Sequence, residues 1–213
     1  MAVTNKDTKA VTGQVRLTFP HLFEPHAFQE GQEAKYSVRI LIPKTDKATL
    51  TRLKKAFEAA KELGVSKGTL KKGEAKNFKL NIHDGDEKNA QHIEDDEEDK
   101  VREEYNGHYY MNLSAKTKPG VVKPVGKNPD GTTKFEVIED TSEIYSGCYA
   151  KVSLNFYAYN VGVNKGVTAG LNNVAKTMDG DYLGRRSSAK DDFADEEFDL
   201  DNDFDLDNDD DFL

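Results

Sequence analysis

CYAKVSLNFYAYN, residues Cys148 to Asn160, is the stretch whose reading decides the fold. Period-two geometry puts Cys148, Ala150, Val152, Leu154, Phe156 and Ala158 on one face. Tyr149, Lys151, Ser153, Asn155, Tyr157 and Tyr159 fall on the other. Such an alternation predicts a strand with one side in a core and the other toward solvent. The second side carries three tyrosines and a lysine. Aromatic rings stack on bases of any sequence at roughly 1–3 kcal/mol per base, and an ammonium tracks phosphate. Tyr149, Lys151, Asn155, Tyr157 and Tyr159 are therefore candidates for binding a single nucleic-acid strand. The same face also fits a packing role beneath a helix, with the hydroxyls reaching water.

Working outward, shorter segments repeat the pattern. Val15, Leu17 and Phe19 alternate with Arg16 and Thr18 in a strand that should end at Pro20, before a packed loop from Pro20 to Ala34. In YSVRILIP, Val38, Ile40 and Ile42 oppose Ser37, Arg39 and Leu41. HYYMNLSAK sets Tyr109, Met111 and Leu113 against Tyr110, Asn112, Ser114 and Lys116. NFKLNI, with Phe78, Leu80 and Ile82 in phase, predicts another strand, closed by the turn His83-Asp84-Gly85-Asp86. Asn128-Pro129-Asp130-Gly131 predicts a hairpin. Residues 45–63 form the clearest helix: Leu50, Leu53, Phe57, Ala60 and Leu63 recur at threes and fours, Thr45 or Asp46 caps the start, and Gly64 suits a left-handed end. A short exposed helix is expected from Glu94 to Tyr105, and another around Leu171 to Lys176. The sum is a mainly β chain, a small barrel with one prominent helix.

Further cations and one tyrosine share the outward parity or sit on flanking segments: Arg16, Arg39, Lys79, Tyr110, Lys116 and Lys118, with Lys123 and Lys165 beyond them. They could extend the same surface.

The charge distribution is uneven. The chain has 30 basic and 39 acidic residues, and thirteen of the acids lie between Asp191 and Leu213, where there is no Lys or Arg. Residues 1–190 therefore carry 30 basic against 26 acidic groups, a body of +4. Repulsion along the acidic run outweighs what Phe193, Phe198, Leu200, Phe204 and Leu206 could gain by packing, so it should stay disordered. The expected division is a binding domain over 1–183 and an acidic tail over 184–213. A basic body with such an arm fits a polyanion-binding groove for which the tail competes.

Other chemistries find little support. Cys148 is the single cysteine, so no internal disulfide forms and no Cys-rich zinc site exists. There is no signal-peptide core and no membrane-length apolar run, which points to a cytoplasmic protein. Walker, dinucleotide and nucleophile-elbow motifs are missing, and no cofactor is expected. His83, Asp84 and Asp86, or the carboxylates of Glu94 to Asp99, could hold a divalent ion. A metal-dependent nuclease using Asp84 and Asp86 is the alternative reading, and a pure interaction protein a third.

With those residues in view, the chain resembles a phage-encoded family of single-stranded DNA-binding proteins formerly described as a domain of unknown function. The likeness rests on TGQVRLTFPHLFEP (12–25), KYSVRILIPK (35–44), IHDGD (82–86), GHYYMNLSAKTKP (107–119) and IYSGCYAKVSLNFYAYN with NKGVTAGLNNV (144–174). It implies an oligonucleotide-binding (OB) barrel that coats single strands during phage DNA replication or recombination in the infected host, without catalysis. The ending Asp209-Asp210-Asp211-Phe212-Leu213 resembles the tails by which bacterial and phage single-strand binders recruit replication and repair proteins, with the aromatic penultimate here. That makes these five residues the expected partner-binding segment.

Overall fold

The computed structural model describes residues 3–183; the expectations for the acidic tail, including its end at Asp209 to Leu213, lie outside them. The strands are β1 (Lys9–Val11), β2 (Val15–His26), β3 (Lys35–Pro43), β4 (His83–Asp84), β5 (His108–Ala115), β6 (Gly120–Lys127), β7 (Thr133–Val137), β8 (Tyr149–Val161) and β9 (Asn164–Met178). The helices are α1 (Lys47–Ser66), α2 (Lys72–Ala75) and α3 (Gly85–Glu94).

Pairing closes a ring. β2 runs antiparallel to β3, β3 to β5, and β8 to both β9 and β2, while β5 meets β9 in parallel through Ser114 and Gly170. Five strands in this circuit make a small closed barrel of the OB-like kind, which leaves no exposed edge around the ring. β1 extends the edge of β2 along β8, and β6 extends that of β5 along β9 before folding back as the β6–β7 hairpin.

The predicted alternation fills the interior. Val15, Leu17, Val38, Ile40, Ile42, Met111, Leu113, Val152, Leu154 and Phe156 are all buried. α1 closes one end of the barrel with Leu53, Ala56, Phe57 and Ala60, and the Phe57 ring meets Phe156 edge-on at 5.8 Å. Its cap is Asp46, whose Oδ1 accepts from the Thr49 backbone N–H at 2.9 Å.

Several elements differ from expectation. Gly64 lies inside α1 and does not end it: a Cβ there would come within 2.5 Å of the Ala158 methyl, so the residue permits close approach of helix and strand. The left-handed residue is Gly68, at φ +72°. β2 does not stop at Pro20 but continues to His26 with irregular register, as a strand must where prolines lack the N–H for a ladder. Phe78, Leu80 and Ile82 pack against the core as an unpaired strap, and only His83 and Asp84 pair, opposite Tyr110 and Tyr109.

His83 to Asp86 is not a simple turn either. Asp84 accepts from the N–H groups of Asp86 and Glu87 and caps α3, which ends at Glu94, where the acidic run begins. From there to Tyr105 the chain forms turns and two single 3-10 turns rather than a helix, since pairs such as Glu94 and Glu98 or Asp95 and Asp99 would set like charges four residues apart on one helix face. The helix expected at Leu171 to Lys176 is part of β9. Ser153 pairs with Asn173 and Leu154 with Leu171, so Asn172 is an extra, bulged residue. The bulge gives Leu171 and Val174 a spacing of three, which imitates a helix in the sequence.

Candidate nucleic-acid interface

The outward side of β8 is built as its parity requires. Lys151 is exposed, Tyr157 is 48% exposed, and Asn155 and Tyr159 are half-buried. β9 makes room for the tyrosine rings with glycines. A Cβ on Gly170 would lie 3.3 Å from Tyr157 Cε1, and one on Gly166 would lie 3.2 Å from the Tyr159 hydroxyl. The rings rest over backbone that lacks side chains, the aromatic cover of strand glycine. Held so, a ring is a preformed platform for a base.

Tyr149 belongs to a different assembly. The Arg16 guanidinium sits 5.5 Å from its ring and donates to the carbonyls of Gly147 at 3.1 Å and Asp181 at 2.8 Å. Gly180 lies against the same ring, and its N–H donates to the Tyr145 hydroxyl. Arg16 and Tyr149 thus clamp the Asp179–Leu183 segment to the barrel.

A second outward surface lies across the ring, on β3 and β5. Register sets its rows: His21 beside Ser37 and Ser114, Thr18 beside Arg39 and Asn112, Leu41 beside Tyr110 and His83. Arg39 donates through Nε to Asn112 Oδ1 at 2.7 Å and through its guanidinium to the Tyr105 hydroxyl. Its charge lies 5.0 Å from the Tyr110 ring centre and 5.2 Å from that of Phe19. Tyr110, expected to be solvent-facing, is covered by Tyr105 and His83, stacked at 5.1 and 5.0 Å, and burial pushes its phenol pKa up. It serves as a support for Arg39.

Phe19 and Phe28 wall this surface, exposed by 47% and 64%. Neither is legible as a site residue in the sequence. Parity would send Phe19 inward with Leu17, but its φ of +49° turns it out, and its N–H is held by Ser146 Oγ at 2.9 Å. Phe28 meets His21 and His26 edge-on, and those two imidazoles stack at 4.3 Å. Burial, with the second imidazole alongside, lowers the His21 pKa.

Three grooves lie along these surfaces. One, about 310 Å³, lies between Phe19 and Phe28 over Arg39, Asn112 and Ser114. The next, about 530 Å³, begins at Ala115 and is lined by Lys9, Lys116, Lys118, Ser153 and Asn173. The third, about 450 Å³, shares Lys9 and adds Lys67, Asn155 and Tyr157. Among the described residues, not one Asp or Glu lines any of the three.

Of the expected cations, Lys116 and Lys118 join this path; the pair of Lys116 with Glu33 at 2.7 Å is exposed on both sides and weak. Lys79 is exposed on the strap before β4, outside these grooves. Lys123 is engaged by Glu143 at 2.9 Å, which raises its pKa, and Lys165 by Glu74 at 2.6 Å. Lys9, from the polar N-terminal segment, and Lys67, which opens the basic stretch Lys67 to Lys79, complete the lining, and no strand parity marks either as a site residue.

The carboxylates of the alternative reading are occupied by the protein itself. Lys44 Nζ lies 2.6 Å from Asp84 and 2.7 Å from Asp86, and these bonds hold the Asp86 carboxyl below its ordinary range. No group of three or more His, Cys, Asp or Glu suited to a metal occurs among the described residues. Burial raises the Cys148 thiol pKa, so it is not an activated nucleophile. No described helix is long and apolar enough to cross a membrane.

Comparison with known proteins gives a concordant result. A family model described as Enterobacter phage Enc34, ssDNA-binding protein, matches residues 8–205. Protein p50 of Acyrthosiphon pisum secondary endosymbiont phage 1 is 28% identical over 194 residues, spanning 88% of this chain and 93% of that one. The single-stranded DNA-binding protein of bacteriophage Enc34, solved in complex with ssDNA, superposes with a TM-score of 0.59 at 24% identity, covering 84% of this chain and 91% of that one. Gp2.5, a single-stranded DNA-binding protein of bacteriophage T7, shares the fold at a TM-score of 0.50 and 14% identity, over 90% and 96%. The chain belongs to the family of the Enterobacter phage Enc34 ssDNA-binding protein.

Proposed function

We propose that this protein coats single-stranded DNA with little overall sequence preference, by stoichiometric binding rather than catalysis, in phage DNA replication or recombination in the host cytoplasm. The observation that carries the reading is the acid-free path of three grooves. In a body with 26 acidic groups, grooves lined by Lys9, Lys67, Lys116, Lys118 and Arg39 and by no acid are a segregated charge pattern. Phosphate neutralisation along them supplies a salt-dependent affinity, and Phe19, Phe28 and Tyr157 supply stacking. Ring faces can stack only on bases that are not already stacked in a duplex, which favours single strands.

The division into a binding domain over 1–183 and an acidic tail over 184–213 belongs to the same proposal. The tail, with no cation from Asp191 onward, competes with DNA for the basic path, and Asp209 to Leu213 recruit replication or recombination proteins when DNA displaces it. Fluorescence anisotropy with labelled single strands and duplex, at several salt concentrations, tests the main claim. Tighter single-strand binding that weakens with salt is expected, and equal affinity for duplex overturns it. Truncation after Lys190 should strengthen binding, most at low salt where charges act furthest. Intact labelled strands after incubation with magnesium or manganese separate this reading from a nuclease.

A further inference from the structure

We propose that the groove on the outer faces of β3 and β5 is a subsite for one nucleobase that favours a base edge bearing a carbonyl. The inference rests on the single-strand reading above and adds a local chemical preference to it. Its volume of about 310 Å³ is at the lower end for ligand sites, and suits a single base.

Ser37 is the observation that points to a ligand. Its side chain lines the groove at 7% exposure, yet Oγ has no hydrogen-bond partner among the described residues. Buried polar groups in folded proteins are paired almost without exception, and a ligand that supplies the missing bond removes an unfavourable state. The walls agree. Phe19 and Phe28 are large exposed rings, and Phe19 is held at φ +49°, a backbone state rarely tolerated by a bulky side chain. Such outliers gather at ligand clamps.

The polar groups fix the preference. Arg39 can only donate. Asn112 Oδ1 already accepts from Arg39 Nε, and its Nδ2 adds further donors to the site. The hydroxyls of Ser37 and Ser114 can donate or accept, and the lining contains no carboxylate. A donor-rich site matches thymine, cytosine, guanine or hypoxanthine, each with a ring carbonyl. Adenine instead presents at C6 an amino group, which neither the Arg39 guanidinium nor Asn112 Nδ2 can accept, so only the hydroxyls remain to it.

The test uses the full chain and two labelled strands of equal length, one all adenine and one with hypoxanthine at every third position. The exchange replaces an amino group by a carbonyl on the same purine ring. Anisotropy should show several-fold tighter binding of the hypoxanthine strand, and the ratio should fall toward one in Ser37→Ala and in Asn112→Ala. Phe28→Ala should weaken both strands alike. Equal affinities in the unmodified protein, or a ratio that survives both substitutions, overturn the subsite while leaving single-strand binding intact. Failure to bind either strand overturns both.

Discussion

The two outward surfaces of the barrel differ in how they are made. On β8 and β9 a regular alternation aims side chains outward, and glycines on the neighbouring strand seat the tyrosine rings. On β3 and β5 the exposed rings come from irregular backbone: Phe19 by an inverted φ, Phe28 from the loop after β2. The first surface follows from local periodicity and the second from strain held by distant contacts, such as Ser146 under the Phe19 N–H. An exposed aromatic face can thus arise with or without a pattern that sequence displays.

Replacing both Phe19 and Phe28 by alanine should have the largest effect. Each lost stack costs roughly 1–3 kcal/mol, so losing both should lower affinity for single strands by about thirtyfold or more, with the melting temperature little changed. Unaltered affinity would remove the β3–β5 surface from the DNA path. Tyr157→Ala comes next, with a loss of about tenfold if one base rests on its ring. Tyr149→Ala should leave affinity near the original and lower stability instead, because that ring secures the Asp179–Leu183 segment with Arg16. A larger DNA defect in Tyr149→Ala than in Tyr157→Ala would reverse the division between them.

Smaller effects probe the link between the surfaces. Lys118→Ala should reduce the slope of log affinity against log salt by about 0.7, the expectation for one phosphate contact on a single strand. An unchanged slope would place Lys118 off the path. Asp46→Ala should cost about 1 kcal/mol of stability and spare DNA binding, as it removes the α1 cap. Bonds from Thr49 hold the Asp46 carboxyl below its ordinary range. The folded state therefore binds its proton less readily, and the stabilisation is present above the ordinary carboxylate pKa and lost as pH falls through the folded value. Melting temperatures of the variant and the original protein should differ at neutral pH and converge at strongly acidic pH; a constant gap would refute the capping role.

Much of the barrel was legible because strand faces repeat every two residues. The core positions of β3, β5 and β8, and the apolar face of α1, follow from that rule alone. Reading failed where one residue breaks a repeat. The Asn172 bulge disguised β9 as a helix, and prolines inside β2 looked like its end. In the candidate site, Lys151, Asn155, Tyr157 and Tyr159 lie outward as their parity requires. Arg16, Tyr110 and Tyr149 have the same parity, but other parts of the chain pack over them.

By itself the sequence determined a mainly β chain with a basic body, an acidic end and an aromatic, lysine-bearing strand face. Those properties depend on residue order and composition, which need no knowledge of neighbours. Only the tertiary structure decided which outward residues stay uncovered and which cations keep a path free of acids. It paired Lys123 and Lys165 with glutamates, gave Asp84 and Asp86 to Lys44, and brought Lys9 beside Lys118. Charge and stacking act over a few ångströms, and chain folding sets those distances between residues far apart in the sequence.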